Sequence, residues 1–239
     1  MPKTKLNQPR NFPIEVYILC AVGFFVALGY GLIIPALPLF AEHFHANNTQ
    51  VGSIVASFGA ARFLAGLLSG KLLDKFGIRK VLTFGLLYLA LSMVLCGFAA
   101  NFWELLLFRT FGGLGSSMFS VSVAAEIMRS VKSDYLGRAQ SIYNGTFIVG
   151  TMSGPLFGGL LVSISLRAPF FIYAATSIAA AAVSYFRLAH REHLFVEKKN
   201  QTKVLTLKKA LVIYPYIAAL TFTFLTNFVV FGQIGRAHV

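Results

Sequence analysis

Gly70-Lys-Leu-Leu-Asp74-Lys75-Phe-Gly77-Ile-Arg79-Lys80 sets five charged side chains and two glycines between two long apolar runs. Val51–Ser69 precedes the stretch and Val81–Ala99 follows it. A helix of about 20 apolar residues crosses a hydrocarbon layer of roughly 30 Å. The two flanking runs are therefore read as one crossing and one return, with the charged turn between them at a membrane surface.

The rest of the chain follows the same rhythm. Of its 239 residues, 56% are hydrophobic and only 12% charged, too apolar a balance for an ordinary soluble domain. Seven spans are predicted: Ile14–Phe40, Val51–Ser69, Val81–Ala99, Trp103–Ala124, Ala139–Val162, Pro169–Phe186 and Leu211–Phe231. The net charge of +13 does not imply nucleic acid, because its sources alternate by loop instead of gathering on one face. Lys3, Lys5 and Arg10 precede the first span; Lys71, Lys75, Arg79 and Lys80 follow the second; Arg129, Lys132 and Arg138 follow the fourth; a run from Arg187 to Lys209 follows the sixth. The intervening connections contain only Arg167. Positive residues mark cytoplasmic loops, so the amino terminus is expected inside and the chain to be a multi-pass protein of the cell membrane.

The expected organisation is a cytoplasmic tail over 1–13, a six-helix unit over 14–186, a cytoplasmic linker over 187–210 and a seventh helix over 211–233. The first apolar run is too long for a signal peptide and lacks a small-residue cleavage site, so it reads as a span. The last residues, Ile234-Gly-Arg-Ala-His-Val239, resemble a translated sequencing adapter, and 234–239 is expected to be a non-native tail on a truncated chain. Cys20 and Cys96 fall inside spans and read as small buried residues without a disulfide. His43 and His45 lack a third ligand, so no metal site and no cofactor is expected.

The pattern G-x-x-x-D-[RK]-x-G-x-[RK], supplied here by Gly70, Asp74, Lys75, Gly77 and Arg79, resembles the loop between the second and third helices of the major facilitator superfamily of transporters. Ile78 departs from it, standing where the family often has a base. The resemblance covers residues 10 to 233 and implies an all-α membrane fold: a six-helix half-bundle of two inverted three-helix repeats, plus a seventh helix. It further implies a gating loop in which Asp74 and Arg79, with Lys75, Lys80 and Glu126 of the fourth helix, hold one conformation and release another.

The fifth span contains Gly150-Thr-Met-Ser-Gly154-Pro155-Leu-Phe-Gly158-Gly159. It is similar to the g-x-x-x-G-P-x-x-G-G signature of proton-coupled antiporters, drug exporters above all. Glycines four apart let helices approach closely, while proline removes a donor and bends the rod. The missing second half is the expected partner of this face. In the fourth span, Leu105 to Gly115 resembles l-x-x-x-R-x-x-Q-G-x-G, a stretch tied to proton coupling, with Gly112 in place of the glutamine. The first and fourth spans are equivalents in the two repeats, and their Gly29, Gly31, Pro35, Pro38, Gly112, Gly113 and Gly115 predict interrupted helices lining a cavity.

Arg62 and Arg109 lie inside spans, where a charge costs roughly 2.5–3.5 kcal/mol on insertion scales and needs a wet cavity or a partner. Backbone carbonyls or Glu104 are one set of partners and a substrate is another. With Gly29, Tyr30, Pro35 and Tyr143 they form the candidate translocation path. Glu15, Glu42, Asp74, Glu104, Glu126 and Asp134 all map to surfaces or loops, so no acid reaches mid-membrane in these spans.

The function these features imply is secondary transport of small molecules by alternating access, driven by protons and most like multidrug efflux. The alternatives are a sugar or anionic-metabolite porter, or an inactive fragment lacking its carboxy-terminal half. Paired acids, an activated nucleophile and a metal set are missing from the spans, so an enzyme is not expected.

Overall fold

The computed structural model describes residues 12–188. Among the described residues, the membrane-scale elements are six α-helices. They are α1 (Ile14–Glu42), α2 (Asn48–Phe76), α3 (Ile78–Phe98), α4 (Phe102–Ser130), α5 (Leu136–Ile164) and α6 (Ala168–Arg187), with a 3₁₀ turn at Ser133–Tyr135. All six are long and apolar enough to cross a bilayer. The predicted seventh helix, most of the linker and the terminal tail lie outside the described residues.

The helices run past the apolar windows that announced them, because capped polar residues extend their ends. Asn47 Oδ1 accepts from the Gln50 backbone N–H at 2.9 Å and Gln50 Oε1 accepts from the Asn47 N–H at 2.9 Å, a reciprocal box that starts α2. Asn101 does the same work for α4, its Oδ1 accepting from the Glu104 N–H at 2.9 Å. Glu104 in return accepts from the Ala100 N–H and the Asn101 side-chain amide, each at 2.8 Å.

The charged stretch is shorter as a turn than its sequence implies. Gly70 to Phe76 continues α2, and α3 starts at Ile78, so the reversal rests on Gly77. Gly77 has φ 84° and ψ 155°, a conformation costing a side-chain-bearing residue about 1–3 kcal/mol. Gly70 is helical and its Cβ direction is open, so neither close approach nor a positive dihedral explains that glycine within these residues.

Five seams hold the bundle: α1 against α5, α2 against α4, α3 against α4, α1 against α6, and α3 against α6. Exchanging α1 with α4, α2 with α5 and α3 with α6 maps this set onto itself, which is the pairing of two three-helix repeats. The register agrees. The starts of α1 and α4, residues 14 and 102, and those of α2 and α5, residues 48 and 136, are both 88 positions apart, and all four helices have 29 residues. Because three chain reversals separate equivalents, they run in opposite directions.

Small residues carry the seams, as expected where lipid gives helices no hydrophobic reason to associate. Gly150, Gly154 and Gly158 form a buried row four residues apart on α5. A Cβ on Gly154 would strike the Gly31 backbone, and one on Gly158 would lie 2.9 Å from the Leu32 carbonyl oxygen. The partner of this row is thus α1 of the same bundle, where the expectation had been a missing second half. Pro155 lies in the interior of α5, which stays one helix through it. Thr151's carbonyl, the acceptor four residues earlier that Pro155 deprives of its donor, lies against Gly31 of α1.

The expected interruptions of α1 and α4 do not occur. Pro35 and Pro38 lie within α1, and Gly112, Gly113 and Gly115 within α4, as parts of unbroken helices. Their glycines are seats for neighbours: a Cβ on Gly113 would lie 3.0 Å from the Arg62 backbone nitrogen of α2, and one on Gly115 would lie 2.8 Å from the Leu89 nitrogen of α3. Gly154→Leu is expected to overpack the α1·α5 seam and cost about 1–3 kcal/mol or more. Gly159→Leu, whose side chain enters open space, should leave stability unchanged. The thermal midpoints of the detergent-solubilised variants measure both.

Candidate functional site

Two groups of predicted residues come together, one at the α2–α3 end and one along the α2·α4 seam. At the first, Asp74, Lys75 and Lys80 are exposed, with the Lys75 ammonium 5.3 Å from the Phe76 ring centre. Among the described residues, neither Asp74 nor Arg79 forms an ion pair. Arg79 instead lays its guanidinium 4.3 Å from the centre of the Tyr185 ring on α6, while its Nε is buried without a hydrogen-bond partner. A guanidinium stacked on an aromatic face gains about 0.5–1 kcal/mol at such exposed sites. Glu126 is half-buried on α4 and accepts from the Ser130 hydroxyl at 3.4 Å. The residues expected to form the gating loop thus share one end of the bundle, with Arg79 resting on α6.

Along the second group, the two arginines differ. Arg109 is 4% exposed; its guanidinium stacks 4.2 Å from the Phe58 ring centre and its Nη1 faces the Met93 sulfur at 3.7 Å. Arg62 is exposed and donates from Nη2 to the Ser120 hydroxyl oxygen at 2.8 Å. Neither takes a backbone carbonyl or Glu104, the protein partners expected for it. Glu104 is occupied at the α4 cap and reaches neither arginine. A ring, a thioether and a hydroxyl stand in for carbonyls and carboxylates. Beside them Thr110 donates to the Ser57 hydroxyl at 2.9 Å, so polar groups continue along the seam.

The other path candidates are packing residues here. Gly29 is the seat of the Tyr173 ring of α6, where a Cβ would lie 2.8 Å from two ring carbons. Tyr143 is 8% exposed and rests in the same way on Gly23 of α1. Pro35 is half-buried beside Gly158, and Tyr30 is half-buried on α1. In α5, Gly150, Gly154 and Gly158 are buried, whereas Pro155 and Gly159 are exposed, so the motif divides between two helix faces. Sequence reasoning missed Tyr185, Ser120, Phe58 and Met93. Tyr185 reads as an interfacial aromatic, Ser120 as one of several small polar residues, and the others as bulk; only helix packing singles them out.

No group of three or more His, Cys, Asp and Glu suited to a metal occurs among the described residues. A helical bundle with glycine-packed seams, two related triplets and arginines in its spans defines a polytopic membrane protein of the transporter type. The chain belongs to the Major Facilitator Superfamily, whose family model matches residues 19–236, and that family consists of transporters, not enzymes.

Similar proteins include multidrug resistance protein 2 of Bacillus subtilis, 28% identical over 200 residues that cover 83% of this chain and 48% of the relative. The quinolone resistance protein NorA of Staphylococcus aureus is 30% identical over 174 residues, 71% of this chain and 44% of the relative. Among solved structures, a bacterial homolog of the human lysosomal transporter Spinster, inward-facing and unoccupied, superposes with a TM-score of 0.63 at 22% identity, over 72% of this chain and 43% of that one. That likeness supports the fold. The chain spans about half the length of the curated relatives it matches.

Replacing Tyr185 tests the Arg79 contact. In Tyr185→Leu, modification of Arg79 by an arginine-specific dicarbonyl, followed by mass spectrometry, should speed up roughly two- to five-fold, matching the loss of a cation–π contact of about 0.5–1 kcal/mol. Tyr185→Phe, which keeps the ring, should match the unsubstituted protein.

Proposed function

We propose that this chain is the amino-terminal half of a proton-coupled exporter of drug-like small molecules, working by alternating access against a carboxy-terminal half. The observation that carries this reading is the glycine row of α5 seated on α1, in a chain whose relatives include proteins named for multidrug and quinolone resistance. Within an apolar stretch of 18 residues only 17% are buried in α2 and in α5, against 44–56% in the other four helices. These two helices form the face on which a second half and a water-filled path would border. The glycine row keeps α1 and α5 in contact along their length, so each half moves as a body while the interface between halves opens and closes.

In this reading 14–186 is the six-helix half, 187–210 the linker and 211–233 the first helix of the second half. The amino terminus and the α2–α3 turn face the cytoplasm of a plasma membrane, because the basic residues gather there. Asp74 and Glu126 are the acids to which Arg79 transfers when it leaves Tyr185, so the gating loop alternates between an aromatic rest and an ionic one. Lys75 and Lys80 anchor it at the surface, and Gly77 supplies its hinge.

The test uses the chain completed by a carboxy-terminal half and reconstituted in vesicles. Drug accumulation should follow an imposed proton gradient and collapse on adding a protonophore; gradient-independent accumulation would refute proton coupling, and no accumulation would refute the transporter reading. Asp74→Asn in the same protein is expected to lower turnover at least ten-fold while leaving membrane insertion intact, and normal turnover would remove Asp74 from the latch.

A further inference from the structure

Arg62 is the fifteenth of the 29 residues of α2, its midpoint, about 21 Å from either end at about 1.5 Å per residue. A charge at that depth stands in water or against a partner, since lipid holds it only at high cost. Its side chain is exposed, and the hydroxyl of Ser120 takes one of the five N–H donors that a guanidinium presents. Among the described residues no carboxylate pairs with it. Glu15, Glu42, Asp74, Glu104 and Glu126 lie toward the ends of their helices, and Asp134 lies in a connection. Arg109, buried on Phe58 one helical turn away along α2, adds a second positive charge behind it.

The two repeats make this placement unusual. Arg62 and Gly150 are equivalent positions, 88 residues apart. In the α1·α5 seam the glycine is on α5, packed against the Phe24 carbonyl and Ala27 of α1. In the α2·α4 seam the glycine is Gly113 of α4, lying against the backbone of Phe58 and Arg62. The close approach is the same in both seams, but the small residue has changed sides. That exchange lets α2 present a long cationic side chain where α5 presents none, and it directs the guanidinium past α4 to Ser120.

We infer that the α2·α4 seam around Arg62 binds the carboxylate of an organic anion, so that the molecules this transporter handles are acidic and not cationic. The inference rests on the transporter reading above and narrows its substrate class. A guanidinium offers paired N–H donors that match a carboxylate, Ser120 supplies a neighbouring hydroxyl, and two positive charges with no opposing acid among the described residues set the sign of the local field. A cation approaching Arg62 meets repulsion and, among the described residues, no counter-charge.

The test is binding of 1-pyrenebutanoate and of the matching 1-pyrenebutylammonium to the full 239-residue chain in nanodiscs, read by fluorescence against protein-free nanodiscs. The anion should bind at least ten-fold more tightly than the cation. Arg62→Gln should abolish that preference, while Lys71→Gln, which removes one positive charge from the exposed end of α2, should keep it. Thermal midpoints show that Arg62→Gln still folds. Equal affinity for the two probes, equal losses in both variants, or no binding above the lipid baseline would each overturn the inference. The transporter reading is judged separately, by proton-driven accumulation in vesicles, and survives if only the charge preference fails.

Discussion

Backbone contact between helices, made possible by glycine, is the interaction on which this bundle depends. In lipid, burying leucine gains little, because the tails outside are as apolar as the neighbours inside. Helices then associate through close packing, and closeness requires positions without side chains. Gly31 against Gly154 brings two backbones together, and Gly113 against the Arg62 backbone does so in the equivalent seam. The aromatic seats work by the same principle: Gly23 receives Tyr143 and Gly29 receives Tyr173, so each large ring is matched by a missing side chain.

The paired seams also explain where polarity is tolerated. A repeat used twice in opposite directions gives two versions of each contact, and departures from equivalence show where one version has been adapted. Arg62 opposite Gly150 is the clearest such departure. Arg109 is another kind: it is buried, and a ring and a thioether meet its charge where no acid among the described residues does. At the membrane surface the same economy appears in Arg79, which stacks on Tyr185 with Asp74 in reach of the solvent.

Much of the fold was legible in the sequence because lipid imposes a length and a polarity on every crossing. Six apolar windows each contain the core of a helix now seen, and the charged Gly70–Lys80 stretch does mark a reversal. The helix ends were less legible, since Asn47 and Asn101 caps carry α2 and α4 beyond the apolar windows. Proline and glycine in α1 read as breaks because both are breakers in water. In a bundle held by tertiary packing they remain helical and become points of approach. Proximity between distant side chains was not legible: nothing local says that Arg79 meets Tyr185 or that Arg62 meets Ser120, because both contacts are made by the packing of whole helices.

Adding a single methyl group measures the two seams most directly. A Cβ at position 150 would lie 2.7 Å from the Phe24 carbonyl oxygen and one at position 113 would lie 2.5 Å from that of Phe58, whereas one at position 59 or 145 meets nothing within 4 Å. Gly150→Ala and Gly113→Ala should each lower the thermal midpoint of the protein in nanodiscs, while Gly59→Ala and Gly145→Ala should hold or raise it, because alanine favours a helix over glycine. Seam variants as stable as the two controls would contradict glycine-mediated packing as the basis of the fold.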